Sequence, residues 1–153
     1  MALTHKYQAT VSWTGSTGEG YEQYTRQHIV TSKPAQASLT LSADPAFRGD
    51  PALLTPEQLI VLAAASCQLL SFLAVAARAR IDVVGYEDSA TAEMPESNKP
   101  MWITKIVLRP KITVRGYASA ERLLHLAEVA HRECFIANSL KTEILVEPTF
   151  QTI

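Results

Sequence analysis

Between Gln58 and Ala77 the chain carries no Asp, Glu, Lys, Arg or His, and this run limits what it can fold into more than any other stretch. The run comes directly after a helix start signal. Thr55 can cap free N–H groups, Pro56 suits the first helical position, and Gln58 completes a capping box. Leu and Ala dominate the run itself, and both are strong helix formers. The pattern predicts one long helix, apolar all round, that needs cover on every side. About 20 apolar residues would also span a bilayer. The run, however, is rich in Ala and is interrupted by Ser66, Gln68 and Ser71. The alternating stretches on either side would also leave their apolar faces bare around a lone span. A buried central helix of a globular protein is the preferred reading.

With 153 residues the chain can bury a sizeable core, and a single domain over 1–153 is expected. The 47% hydrophobic and 19% charged fractions are those of a folded protein rather than a disordered one. The net charge of −1, without a basic stripe, argues against nucleic acid or anionic membrane as partners. The start, MALTHKYQATVSW, alternates like a strand and lacks the apolar core of a signal peptide, which points to the cytoplasm.

In chain order, His5–Trp13 reads as a strand, TGSTGEG as a turn, and the segment from about Tyr21 to Val30 as a returning strand. Ala37–Ser42 is a third. ADPAFRGDPALL, residues 43 to 54, is a long aperiodic loop of the kind that often carries function. Beyond the central helix, Val84, Tyr86, Ala90, Ala92 and Met94 mark one face of a strand. Residues from about Trp102 to Val114 form another, in which Pro110 implies an edge position or a bulge. Ser119 caps a second helix, SAERLLHLAEVAHRECF, with Leu123, Leu126, Ala127, Ala130 and Cys134 on its apolar face. Lys141 to Pro148 is the last strand. About six strands and two main helices give an α+β fold, with an antiparallel or mixed sheet packed on the helices. One sheet cannot cover an all-apolar helix, so a homodimer with the central helices near a two-fold axis is expected.

Cys67 and Cys134 are the only cysteines, and no CxxC pair exists. By residue type alone both would be inert core thiols. The histidines form no ligand set: His125 and His131 lie on different faces of a helix, and His131 with Cys134 gives too few ligands for structural zinc. No metal or bound cofactor is expected.

TPEQLIVLAAASC at 55 to 67 and AHRECFIANSLKTEILVEP at 130 to 148 resemble the OsmC and Ohr family, the osmotically inducible protein C and organic hydroperoxide resistance proteins. SADPAFRGD at 42 to 50 and GYEDSATAEM at 85 to 94 are similar to its OsmC-like branch. The resemblance implies an intertwined homodimer with active sites at the subunit interface, and a thiol peroxidase acting on organic hydroperoxides. It matches Cys67 to the peroxidatic cysteine, Cys134 to the resolving one, and Glu57 to a carboxylate that orients an arginine beside the reactive thiol. It also implies external dithiols, of lipoyl type, as reductants.

The parts fit chemically. An apolar site raises a thiol's pKa, and a guanidinium would stabilise the thiolate that cleaves peroxide. Condensation of the sulfenic acid with a second thiol gives a disulfide. Where the Ohr branch carries an arginine in the first hairpin, this chain reads TGSTGEG. Arg48 in the long loop is the favoured substitute and Arg26 the other. Ten residues separate Glu57 from Cys67, about 15 Å along a helix. An arginine held by Glu57 would therefore serve the Cys67 of a partner subunit. An apolar funnel for the peroxide would draw on Leu69, Phe72, Met101, Trp102 and Phe135. The competing reading keeps the fold without the activity: a non-catalytic OsmC-like protein that binds a small molecule or acts in stress response.

Overall fold

The computed structural model describes residues 2–153. Strands β1 (Thr10–Ser12), β2 (His28–Thr31) and β3 (Ser38–Leu41) precede helix α1 (Pro56–Arg78). Strands β4 (Asp82–Asp88), β5 (Thr91–Glu93), β6 (Lys105–Leu108) and β7 (Pro110–Arg115) lead to helix α2 (Ala120–Glu133), then β8 (Glu143–Val146) and β9 (Thr149–Thr152). The chain divides into two compact units, one ending at Leu59 and the other running Ile60–Ile153.

In the first unit β1, β2 and β3 form an antiparallel meander. Its ladders are shorter than the alternation predicts, because residues 21–24 form turns instead of a strand. In the loop before α1, Asp44 caps a 3₁₀ turn at Pro45–Phe47 through Ala46 N–H (2.8 Å). Gly49 is required there, since a Cβ would lie 1.6 Å from the Ala43 carbonyl oxygen. The predicted capping box is present: Gln58 N–H donates to Thr55 Oγ1 (3.2 Å) and Thr55 N–H to Gln58 Oε1 (2.9 Å).

In the second unit two of the expected strands are each broken in two, and the expected last strand is followed by one more, β9, past Pro148. β4 and β5 share one ribbon, β6 and β7 a second, β8 and β9 a third. β7 pairs with β4 antiparallel and with β9 parallel, while β6 pairs with β5 antiparallel and with β8 parallel. The breaks at Ser89–Ala90, Arg109 and Glu147–Pro148 are therefore in line across one three-ribbon sheet. Hydrogen bonds bridge the crease: Arg109 N–H to Asp88 Oδ1 (2.7 Å) and Glu147 N–H to the Leu108 carbonyl (2.8 Å). Pro110 is thus neither on an edge nor at a bulge. It starts β7 in the central ribbon, at the crease, where a residue without an N–H costs the ladder least.

A bulge between Val83 and Gly85 also corrects the predicted face of β4. It puts Val83 and Tyr86 against the core and leaves Val84 40% exposed. Past the crease, Ala90 and Met94 return to the packed face while Ala92 is exposed.

α1 runs along this sheet and meets both halves. Val61, Ala64 and Ala65 pack with Ile103, Ile106, Leu108 and Ile144 on the β5–β6–β8 side. Phe72, Val75 and Ala76 pack with Ile112, Val114 and the α2 residues Leu123, Leu126, Ala127 and Ala130 on the other. Its outer residues Leu62, Leu70 and Leu73 stay exposed (52%, 64% and 37%), so the chain alone does not supply the all-round cover. α1 is long and apolar enough to cross a membrane by length and composition. Its inner face nevertheless belongs to a protein core, as the sequence reading prefers. Phe72, fully buried at that core, is predicted to cost about 3–5 kcal/mol when cut to Ala, measured by urea unfolding.

Candidate functional site

Cys67 lies on α1 between buried Ala64 and Gln68, half-buried itself. Cys134 is 1% exposed and stands one residue beyond the last turn of α2, as its C-cap, in extended backbone conformation. The sequence reading places it inside the helix; the helix ends at Glu133 instead. Both cysteines are free, and their thiols sit within hydrogen-bonding reach of each other.

The turn after α2 wraps its backbone around the two sulfurs. Ala137 N–H points to Cys134 Sγ (3.5 Å), and the N–H groups of Phe135 and Ile136 act on Cys67. Successive N–H groups facing one point form a nest for an anion. Asn138 fixes the turn by donating from Nδ2 to the carbonyls of Arg132 (2.9 Å) and Cys134 (2.8 Å), and Ser139 Oγ donates to the Phe135 carbonyl (2.7 Å). In the sequence IANSL reads only as a helix breaker. Asn shortly after the predicted helix end is the signal that could have marked a built turn.

The two thiols are displaced in opposite directions. Burial raises the Cys67 pKa, but the Cys134 thiol, the Ile136 and Phe135 N–H groups and the Ser71 hydroxyl together outweigh it, so the net shift is downward. Burial first, and its role as donor to Cys67 second, push Cys134 up to about 11. Cys67 is therefore the first of the two to ionise and Cys134 the last to give up its proton, an order suited to a nucleophilic thiolate beside a neutral thiol.

The other expected site residues, Glu57, Arg48 and Arg26, belong to the first unit. Glu57, half-exposed in the first turn of α1, makes no ion pair among the described residues. The Arg48 backbone is left-handed (φ 69°), and its guanidinium is paired with Glu22, both side chains being more than half exposed. Arg26 is clamped, its guanidinium 3.7 Å from the Tyr24 ring centre and 4.6 Å from that of Tyr21, and it donates to the carbonyls of both. Of the funnel residues, Phe72 is core and not a channel wall, while Phe135 is 82% exposed.

Two free cysteines, one on a helix and one at the end of the other, on a creased three-ribbon sheet, describe a pair of neighbouring thiols on an α+β scaffold. The OsmC-like protein family model matches residues 49–149, and the chain belongs to this family. A solved OsmC-like protein of unknown function from Vibrio cholerae is 31% identical, with a TM-score of 0.86 over 95% of this chain and all of that one. An organic hydroperoxide resistance protein from Elizabethkingia anophelis is similar in fold at 18% identity, with a TM-score of 0.73 and full coverage of both chains. The organic hydroperoxide resistance protein OhrB of Bacillus subtilis is similar at 16% identity and 0.62, covering 96% of this chain and 98% of its own. No curated protein sequence matches the chain.

The thiol geometry gives an ordered pH response. Iodoacetamide should modify Cys67 at lower pH than Cys134, whose reactivity should rise only toward about pH 11. Cys134→Ala should move the Cys67 profile upward by removing a donor, and Cys134→Ser, which keeps a hydroxyl, should move it less. Peptide mapping by mass spectrometry checks both.

Proposed function

We propose that this protein is a thiol-dependent peroxidase that reduces organic hydroperoxides to alcohols. The single observation that carries this reading is the pair of neighbouring free thiols with opposite displacements, Cys67 downward and Cys134 upward. The Cys67 thiolate attacks the distal oxygen, the O–O bond breaks, and the alkoxide leaves and takes up a proton. Cys67 is then a sulfenic acid. Cys134 attacks its sulfur, forming the disulfide and releasing water, and an external dithiol of lipoyl type reopens the bond.

Membership of a family that includes hydroperoxide resistance proteins supports the substrate class. The exposed stripe of Leu62, Leu70 and Leu73 on α1 supports a homodimer, because an apolar helix face in water calls for a partner. In that dimer Arg48 of a second copy, steered by Glu57 of the same copy, would supply the cation beside Cys67. Arg48 is cheaper to recruit than Arg26. An exposed ion pair such as its contact with Glu22 is worth about 0–1 kcal/mol. Arg26 would give up two ring contacts, each worth about 0.5–1 kcal/mol or more, in addition to two carbonyl hydrogen bonds. The proposed place of action is the cytoplasm.

Stopped-flow reduction of tert-butyl hydroperoxide with dihydrolipoamide as reductant tests the reading. The protein should turn over, Cys67→Ser should lose turnover, and Cys134→Ser should consume one equivalent and stop. Arg48→Ala should slow peroxide consumption more than Arg26→Ala. Light scattering should give twice the mass of the chain. If the unaltered protein leaves the hydroperoxide intact, the enzyme reading falls and a binding role replaces it.

A further inference from the structure

The crease opens a cleft of about 650 Å³ in the second unit. Ser89, Arg109, Glu147 and Pro148, which line one side of it, are residues at which the three ribbons break. Glu87, Lys111 and Thr149 complete the lining and form one register row, Glu87 opposite Lys111 and Lys111 opposite Thr149. Alternation turns this row outward, because the adjacent row of Tyr86 and Ile112 packs in the core. The cleft therefore lies on the face of the sheet away from α1, α2 and the two cysteines.

Its charges alternate across the ribbons. The central ribbon carries both cations, Arg109 and Lys111. The flanking ribbons carry one carboxylate each, Glu87 on β4 and Glu147 between β8 and β9. Two strand spacings, about 10 Å, separate the flanking ribbons. The four charges do little to satisfy one another. Neither Glu87 nor Lys111 enters an ion pair among the described residues, although the two are direct register partners. Arg109 Nε stands 4.0 Å from Glu147 Oε2, beyond hydrogen-bond distance, and both side chains are about half exposed. Arg109 is nevertheless held in place. Its backbone N–H donates to Asp88 Oδ1 (2.7 Å) and its Nη1 to Thr91 Oγ1 (2.9 Å), so the guanidinium is set at the crease before any ligand arrives.

We propose that this cleft binds a dibasic α-amino acid, lysine or arginine. The ligand's carboxylate sits on the central cations Arg109 and Lys111, and its α-ammonium on one of the flanking carboxylates. Its side-chain cation, carried in lysine on a flexible four-carbon stem, reaches the other. The hydroxyls of Ser89 and Thr149 supply further polar contacts. The charge order excludes simpler ligands. A bare anion such as phosphate would meet a carboxylate on each side, and a diamine would lie across the two cations. An anion flanked by two cations matches every position. The inference goes beyond the peroxidase reading and does not depend on it.

Isothermal titration calorimetry of the unaltered protein at low ionic strength tests the proposal, with backbone amide shifts by NMR to locate the ligand. L-Lysine and L-arginine should bind saturably and shift the amides of Ser89, Arg109, Lys111 and Glu147. Norleucine keeps the zwitterion without the second cation, and cadaverine keeps two cations without the carboxylate. Each should bind at least about tenfold more weakly than lysine, and L-glutamate more weakly still. Added salt should weaken lysine binding. Glu87→Gln and Lys111→Gln should each weaken it at least about tenfold while leaving the thermal midpoint and peroxide turnover unchanged. Absence of saturable binding up to about 10 mM lysine would overturn the proposal. Equal binding of lysine and cadaverine, amide shifts confined to other parts of the chain, or full binding by both variants would overturn it equally. Peroxide turnover is measured separately, so failure of this site and failure of the peroxidase reading give distinct results.

Discussion

A thiol removed from water ionises only where hydrogen-bond donors replace the solvent, and the surroundings of Cys67 supply such donors. Desolvation is the largest influence on this thiol and acts against ionisation. It is overcome by several modest donors that converge: a thiol, two backbone N–H groups and a hydroxyl. Backbone donors cannot rotate away, so the nest is preorganised by the turn after α2, and Asn138 is what holds that turn in shape.

The sheet provides the floor on which the two helices meet. Its crease lets one three-ribbon layer present two differently directed patches, one to the first half of α1 and one to the second half with α2. Cys67 falls near the middle of α1, between those two packing regions, and Cys134 arrives from the end of α2. The crease also ends β4 at Asp88, where the chain can leave the ladder and free a carboxylate oxygen.

Much of this was legible in the residues. The capping box at Thr55 and Gln58, the Ser119 cap of α2, and the pairing of the two helices with a mixed sheet all have local chemical causes that sequence displays. The broken ribbons were not legible. Alternation continues across Arg109 and across Glu147, and only registry with neighbouring ribbons shows that three interruptions are aligned. The bulge at Val84 was hidden for the same reason, since pairing with β7 creates it. The cysteines were singled out by the resemblance to a family, since by type alone they read as inert core thiols, whereas the donors around them are largely backbone and leave no compositional trace. The choice between Arg48 and Arg26 was open in the sequence, because nothing in the letters reveals that one is clasped by two tyrosine rings.

Cys134 occupies the C-cap of α2, and helix ends are where a folded chain gives way most cheaply. Forming a disulfide brings the Cβ atoms to about 3.8 Å and fixes a dihedral near a right angle. A cysteine in mid-helix could meet that geometry only by disturbing the core around it. For the proposed disulfide, fraying by a single residue at this position would supply the travel and leave the packed interior behind Ala127 and Ala130 in place.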